Sequence, residues 1–165
     1  MLLFTIEDVK GLMSALLQKE TFDPFLLVEA EIRGRAALSV DGRLPEDFYS
    51  EEEISKFRAE GEFSPYREIR PLIFEGIRGK HTPKQIKIVF RAPNSLMQKI
   101  LSGSDADPDQ VSGFFLNLRF SNGKLTLSSG CSMKTFSLDK TAEKLWDAWL
   151  SEWMEREKFY YTIMA

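Results

Sequence analysis

His81 and Cys131 are the only histidine and the only cysteine in the chain, so they form the one Cys/His pair that could act as base and nucleophile. A catalytic thiolate needs its base within hydrogen-bond reach, which would require the GKHTP loop and the SSGCS loop to meet in space. No motif surrounds either residue, and a structural role for both is the expectation. Ser128, Ser129 and Ser132 would need the same histidine, and they lack a GxSxG elbow. Glu29 and Glu31 share one face of a strand about 7 Å apart by strand rise, and with Asp41 they could supply an acid and a base or hold a metal. Arg33 and Arg35 continue that face and can neutralise them, so a solvated ion-paired face is the plainer reading. Gly79-Lys80 resembles the end of a phosphate-binding loop. However, Phe74 stands where its first glycine belongs, and His81 replaces the required hydroxyl. With one Cys and one His, a closed zinc site lacks ligands, and no metal or cofactor is expected.

The more informative constellation is a surface. Phe115, Asn117 and Arg119 alternate along one strand, with Thr126 and Ser128 across a hairpin, and Lys87, Val89 and Arg91 can extend the same face toward Glu29 and Glu31. An open sheet face with an aromatic and several cations can stack bases or dock a peptide. A single aromatic and the mixed charges weaken the nucleic-acid version, and 22 basic against 25 acidic residues give a net charge of -3 that argues against binding by bulk charge. The reading is a non-catalytic module binding a protein or small-molecule partner. A small enzyme using Glu29 and Asp41, or Cys131 and His81, is the alternative.

The elements that must position these residues are legible from periodicity. Thr5 can cap a helix carrying Ile6, Val9, Leu12, Met13, Leu16 and Leu17 at helical spacing. Val28 to Val40 then alternates apolar with charged residues, the mark of a strand with one wet face in an antiparallel sheet. It is either one strand bent at Gly34 or a hairpin with a three-residue loop centred there, pairing Ile32 with Ala36 and Ala30 with Leu38. Ser50 and Glu53 form a capping box for a helix ended by Gly61. A second helix starts at Ser64-Pro65, with Pro71 costing about 3 kcal/mol unless the helix restarts there. Gln85 to Arg91 alternates as a strand, and Asn94 opens a short helix. Asn122-Gly123 predicts a tight hairpin pairing Phe120 with Leu125 and Leu118 with Leu127. Met133 to Leu138 reads as a further strand. Asp139 caps a last helix whose stripe holds all three tryptophans.

These elements amount to a single α+β domain over residues 1–165: one antiparallel sheet of four to five strands with helices packed on one face. No run of about 18 apolar residues spans a membrane, and the amino terminus lacks a signal-peptide pattern. With one cysteine and no disulfide, a cytoplasmic protein is expected. Phe159 to Met164 is too apolar for a free tail, since each such side chain left in water forfeits roughly 1.5 to 3 kcal/mol. It must fold back on a sheet edge or enter a second subunit, which makes a homodimer one expectation. The strings FLLVEA, VDGRL, GKHTP, LNLRFSNGKL, SSGCSMKTFSLDK and EKLWD, in this order over nearly the whole chain, resemble a family of small bacterial proteins known only as a domain of unknown function. The resemblance implies an intracellular bacterial protein and carries over no activity and no site residue.

Overall fold

The structure is a computed structural model, and it describes residues 1–164. In chain order its elements are β1 (Leu3–Ile6), α1 (Val9–Gln18), β2 (Leu26–Arg33), β3 (Ala37–Asp41), α2 (Glu51–Glu60), β4 (Ser64–Pro65) and α3 (Tyr66–Ile77). There follow β5 (Gln85–Arg91), α4 (Asn94–Leu101), β6 (Val111–Ser121), β7 (Lys124–Met133), α5 (Thr141–Arg156) and β8 (Tyr161–Met164). Among the described residues the sheet is antiparallel throughout and has eight strands, in the order β3-β2-β5-β6-β7-β1-β8 with β4 paired to β2, where four to five were expected.

The extra strands are those too short to show a period. Leu3–Ile6 buries Phe4 and Ile6 on the core side and turns Leu3 and Thr5 to the other face. The helix that follows is capped by Asp8, whose carboxylate accepts from Gly11 N–H at 3.0 Å, and not by Thr5. The apolar tail is β8, docked on β1 of its own chain with Phe4 opposite Ile163. Met133 ends β7, and residues 134–140 form a loop that leaves Phe136 and Leu138 exposed, so the further strand expected there does not form.

Val28 to Val40 is a hairpin. Its loop is Gly34 to Ala36, so Ile32 faces Leu38 and Ala30 faces Val40, a register two residues further along β3 than expected. Both registers keep apolar residues on one face, so parity alone could not separate them. At the Asn122-Gly123 turn both residues have positive φ, 53° and 74°, and Phe120 pairs with Leu125 as the turn chemistry predicts. The Ser50/Glu53 capping box forms, and Gly61 ends α2. Pro71 lies inside a continuous α3, on its exposed side, where water can reach the carbonyl of Arg67 that loses its helical donor. Asp139 receives both the N–H and the hydroxyl of Thr141 at 3.0 and 2.6 Å, tying the entry to α5 from just outside the helix.

The core lies between one face of the sheet and the helices. Phe90, Ile88, Leu116, Leu118, Leu125 and Leu127 point into it from the strands, and Leu12, Leu16, Ile73, Trp146, Leu150 and Trp153 meet them from α1, α3 and α5. Tyr66 is buried with its hydroxyl donating to Leu16 O at 2.9 Å, which fastens α3 to α1. Trp146 stacks on Phe114, and its indole N–H donates to Phe115 O at 2.9 Å, which fastens α5 to β6.

Candidate functional site

Among the described residues the other face of the sheet carries no helix, and ladder register places the expected surface residues on it in cross-strand rows. One row runs Asp41, Glu29, Val89, Asn117, Ser128, Leu3 and Met164 from β3 to β8, and the next runs Ser39, Glu31, Lys87, Arg119, Thr126, Thr5 and Thr162. Arg91 and Phe115 share a third row with Gly130. All seven candidate residues therefore lie on one surface, and every one of them is half-buried or exposed.

Charge on this face is unevenly set. Glu29 sits directly opposite Asp41, a like-charge pair that costs some tenths of a kcal/mol in a ladder. Lys87 sits opposite Arg119, a second such pair. Lys87 relieves part of this by reaching Glu29 at 3.3 Å. Arg119, Arg33 and Asp41 have no ion-pair partner among the described residues. A shallow depression of about 290 Å³ opens between Glu31, Arg33, Lys87, Arg119 and Ser121.

Two residues of the surface are less available than their sequence pattern implies. A Cβ on Gly113 would fall 2.9 Å from the Phe115 ring and 3.0 Å from Arg91 Nε, so the ring leans along its own strand over that glycine, beside the guanidinium. Arg91 is tied down: its terminal nitrogens donate to Ala92 O and Ser112 O at 3.1 Å and to Asn94 Oδ1 at 3.3 Å. Asn94 in turn donates to Ala59 O at 3.2 Å, linking the end of β5 to α4 and α2. Burial lowers the Arg91 pKa, and the charge of Glu62 partly offsets that. Arg91 is a structural staple within the face, which its position in an alternating strand could not reveal.

His81 and Cys131 are not brought together. His81 is exposed in the loop before β5, next to the end of the sheet marked by Gln85 and Ser121. Cys131 pairs with Phe114 at the opposite end and points to the helix side; ladder register alone separates the two ends by roughly 20 Å. Burial, with Glu143 and Asp147 nearby, pushes the Cys131 thiol up from its ordinary value, the reverse of what a nucleophile needs. Glu29 and Asp41 are neighbours, but on an open face with Lys87 already on Glu29. No group of three or more His, Cys, Asp or Glu side chains among the described residues is placed to hold a metal ion.

Ser129, weighed in the sequence only as a nucleophile, has a structural role instead. Its buried hydroxyl accepts from Leu2 N–H at 2.8 Å and donates to Asp147 of α5, locking β1, β7 and α5 together. Trp149 is the one tryptophan only partly buried, and it lines an open cleft of about 450 Å³ with Pro93, Leu96, Lys99 and Arg156.

Fold and surface together define an α+β protein built on one wide antiparallel sheet with a bare polar face. The chain belongs to a family of unknown function, DUF5721, whose model matches residues 15–162. No curated protein and no solved structure matches it. No helix of the described residues is long and apolar enough to cross a membrane.

Proposed function

We propose that this protein is a non-catalytic interaction module that receives a partner on the uncovered face of its sheet. One observation carries the reading: the polar face is left bare across the sheet, yet it holds Asn117, Arg119, Lys87, Glu29 and Glu31 in register, with Glu29 opposite Asp41, Lys87 opposite Arg119, and Arg119 without an ion-pair partner among the described residues. A surface selected only for stability would alternate the signs across strands. A partner with complementary charge relieves both like-charge pairs, and the half-buried Phe115 adds an apolar contact at the end of the face. The half-buried, unpaired Cys131 fits a reducing compartment, and with the family resemblance it supports a bacterial cytoplasmic setting.

A photoreactive residue placed at Asn117 tests this in cells, with Ala148 on the exposed side of α5 as the control position. Adducts are expected from Asn117, weakened by Arg119→Glu. Adducts arising equally from Ala148, or none from Asn117, would refute the reading.

A further inference from the structure

The sheet ends at β3, and that edge is unguarded. Natural edges are usually blunted by lysine, proline, a bulge or a covering segment. Ala37, Leu38, Ser39 and Val40 include none of these, and apart from the ladder to β2 the backbone of residues 37–41 makes no hydrogen bond among the described residues. Leu38 is 43% exposed, and Leu72 on α3 is 62% exposed. Leu38 lines a groove with Ala36, Phe74 and Gly76, rimmed by Arg35, Glu75 and Arg78.

We propose that two copies of the chain join edge to edge through β3, antiparallel about a two-fold axis at Ser39, so that one sheet runs through both. Side-chain parity permits this arrangement. With Ser39 on the axis, Leu38 faces Val40 of the second copy. On the helix side, the apolar row Ile86, Ile32, Leu38 then continues into Val40, Ala30 and Ile88 of the other molecule. A shift of one residue would set Leu38 against the polar face and break the row.

On the open face the same axis places Asp41 opposite Ala37 of the second copy, with Arg33 one strand beyond. Alanine is short enough for the long arginine side chain to pass over it to the carboxylate. The Glu29/Asp41 opposition thereby gains a cation, and the unpaired Arg33 gains an anion, twice over by symmetry. Within one chain these two residues cannot meet, because Asp41 pairs with Glu29 and Arg33 with Ala37, four residues apart along the ladder or about 13 Å. The proposal leaves the polar face uncovered and doubles it; it relieves the Glu29/Asp41 opposition but leaves Lys87 opposite Arg119 for a partner, so the two readings share one pair and are told apart by oligomeric state on one side and cross-linking at Asn117 on the other.

Sedimentation velocity and equilibrium on the full chain test it, with circular dichroism as the check that each variant is folded. The wild type is expected to dimerise. Leu38→Glu, which puts a charge into the shared apolar row, and Asp41→Arg should each weaken the dimer by about tenfold or more. Arg33→Asp should do the same, and the double variant Asp41→Arg/Arg33→Asp should return to within about threefold of wild type, because only a pair across the axis is restored by the swap. A wild type that stays monomeric at roughly 100 μM overturns the proposal. So does a dimer that survives these variants and is lost on Thr162→Pro in β8, which would assign the contact to the opposite edge.

Discussion

Replacing Trp146 tests how α5 is held to the sheet. Its side chain has 0% exposure, stacks on Phe114 with centroids 5.1 Å apart and on Trp149 at 5.4 Å, and donates its indole N–H to Phe115 O at 2.9 Å. Truncation to alanine removes the apolar contact and leaves a cavity, a loss of about 3 to 5 kcal/mol for a buried aromatic. Replacement by phenylalanine keeps a ring against Phe114. It forfeits one hydrogen bond, about 0.5 to 1.5 kcal/mol, and some packing volume, so about 1.5 to 3 kcal/mol is expected in all. Against a domain stability of roughly 5 to 15 kcal/mol, the phenylalanine variant stays folded even if the alanine one does not. Urea titration followed by circular dichroism reads both. With a slope near 2 kcal/mol per molar, the midpoint should fall by about 1 M for Trp146→Phe and about 2 M for Trp146→Ala. Midpoints that move by less than about 0.3 M, or by the same amount in both variants, would refute the argument that stacking and the indole hydrogen bond act together.

Gly123→Val should cost one or more kcal/mol, because φ of 74° at the β6–β7 turn strains a β-branched residue; an unchanged melting temperature would count against the turn's role. Cys131 should be alkylated at pH 8 more slowly than free cysteine, since burial raises its pKa and leaves less thiolate; a faster reaction would contradict the described environment. Tyr161 is pushed up to about 12, mainly by burial and then by its bond to Glu155 at 2.6 Å, and burial drives Tyr66 above the ordinary phenol range. The folded chain thus holds these protons more tightly than the unfolded one. Their contribution is intact below about pH 10 and is lost as pH rises toward 12. Denaturation midpoints measured across that window should fall, and Tyr161→Phe should flatten part of the fall.

Where a side chain repeats over several turns or pleats, the fold was legible in the sequence. The Ser50/Glu53 box, the Asn122-Gly123 hairpin and the tryptophan stripe appear as read, because each rests on local chemistry that tertiary packing reinforces. Leu3–Ile6 was hidden as a strand, and Tyr161–Met164 was legible only as an apolar tail that must dock, since four residues show too few alternations and their pairing comes from across the chain. Ladder register brought Phe115, Asn117, Arg119, Lys87 and the two glutamates onto one face, as their parity implied. Parity is blind to the end of the sheet a residue occupies, so it could not separate His81 from Cys131. Nor could it show that Arg91 spends its donors on Ala92, Asn94 and Ser112.

The place of β1 has a kinetic consequence. Both of its neighbours, β7 and β8, are made more than a hundred residues after it, and Phe4 waits for Leu127 and Ile163. During synthesis the segment Leu2 to Ile6 emerges before either neighbour and has no strand to join until the β6–β7 hairpin is complete. The last ladder, β1 to β8, closes only after Met164 has been made. Pairing at such sequence separation is slow, and an apolar strand held open for that long is exposed to wrong partners. Folding should therefore run from the central hairpins outward, with β1 and β8 zipped on last.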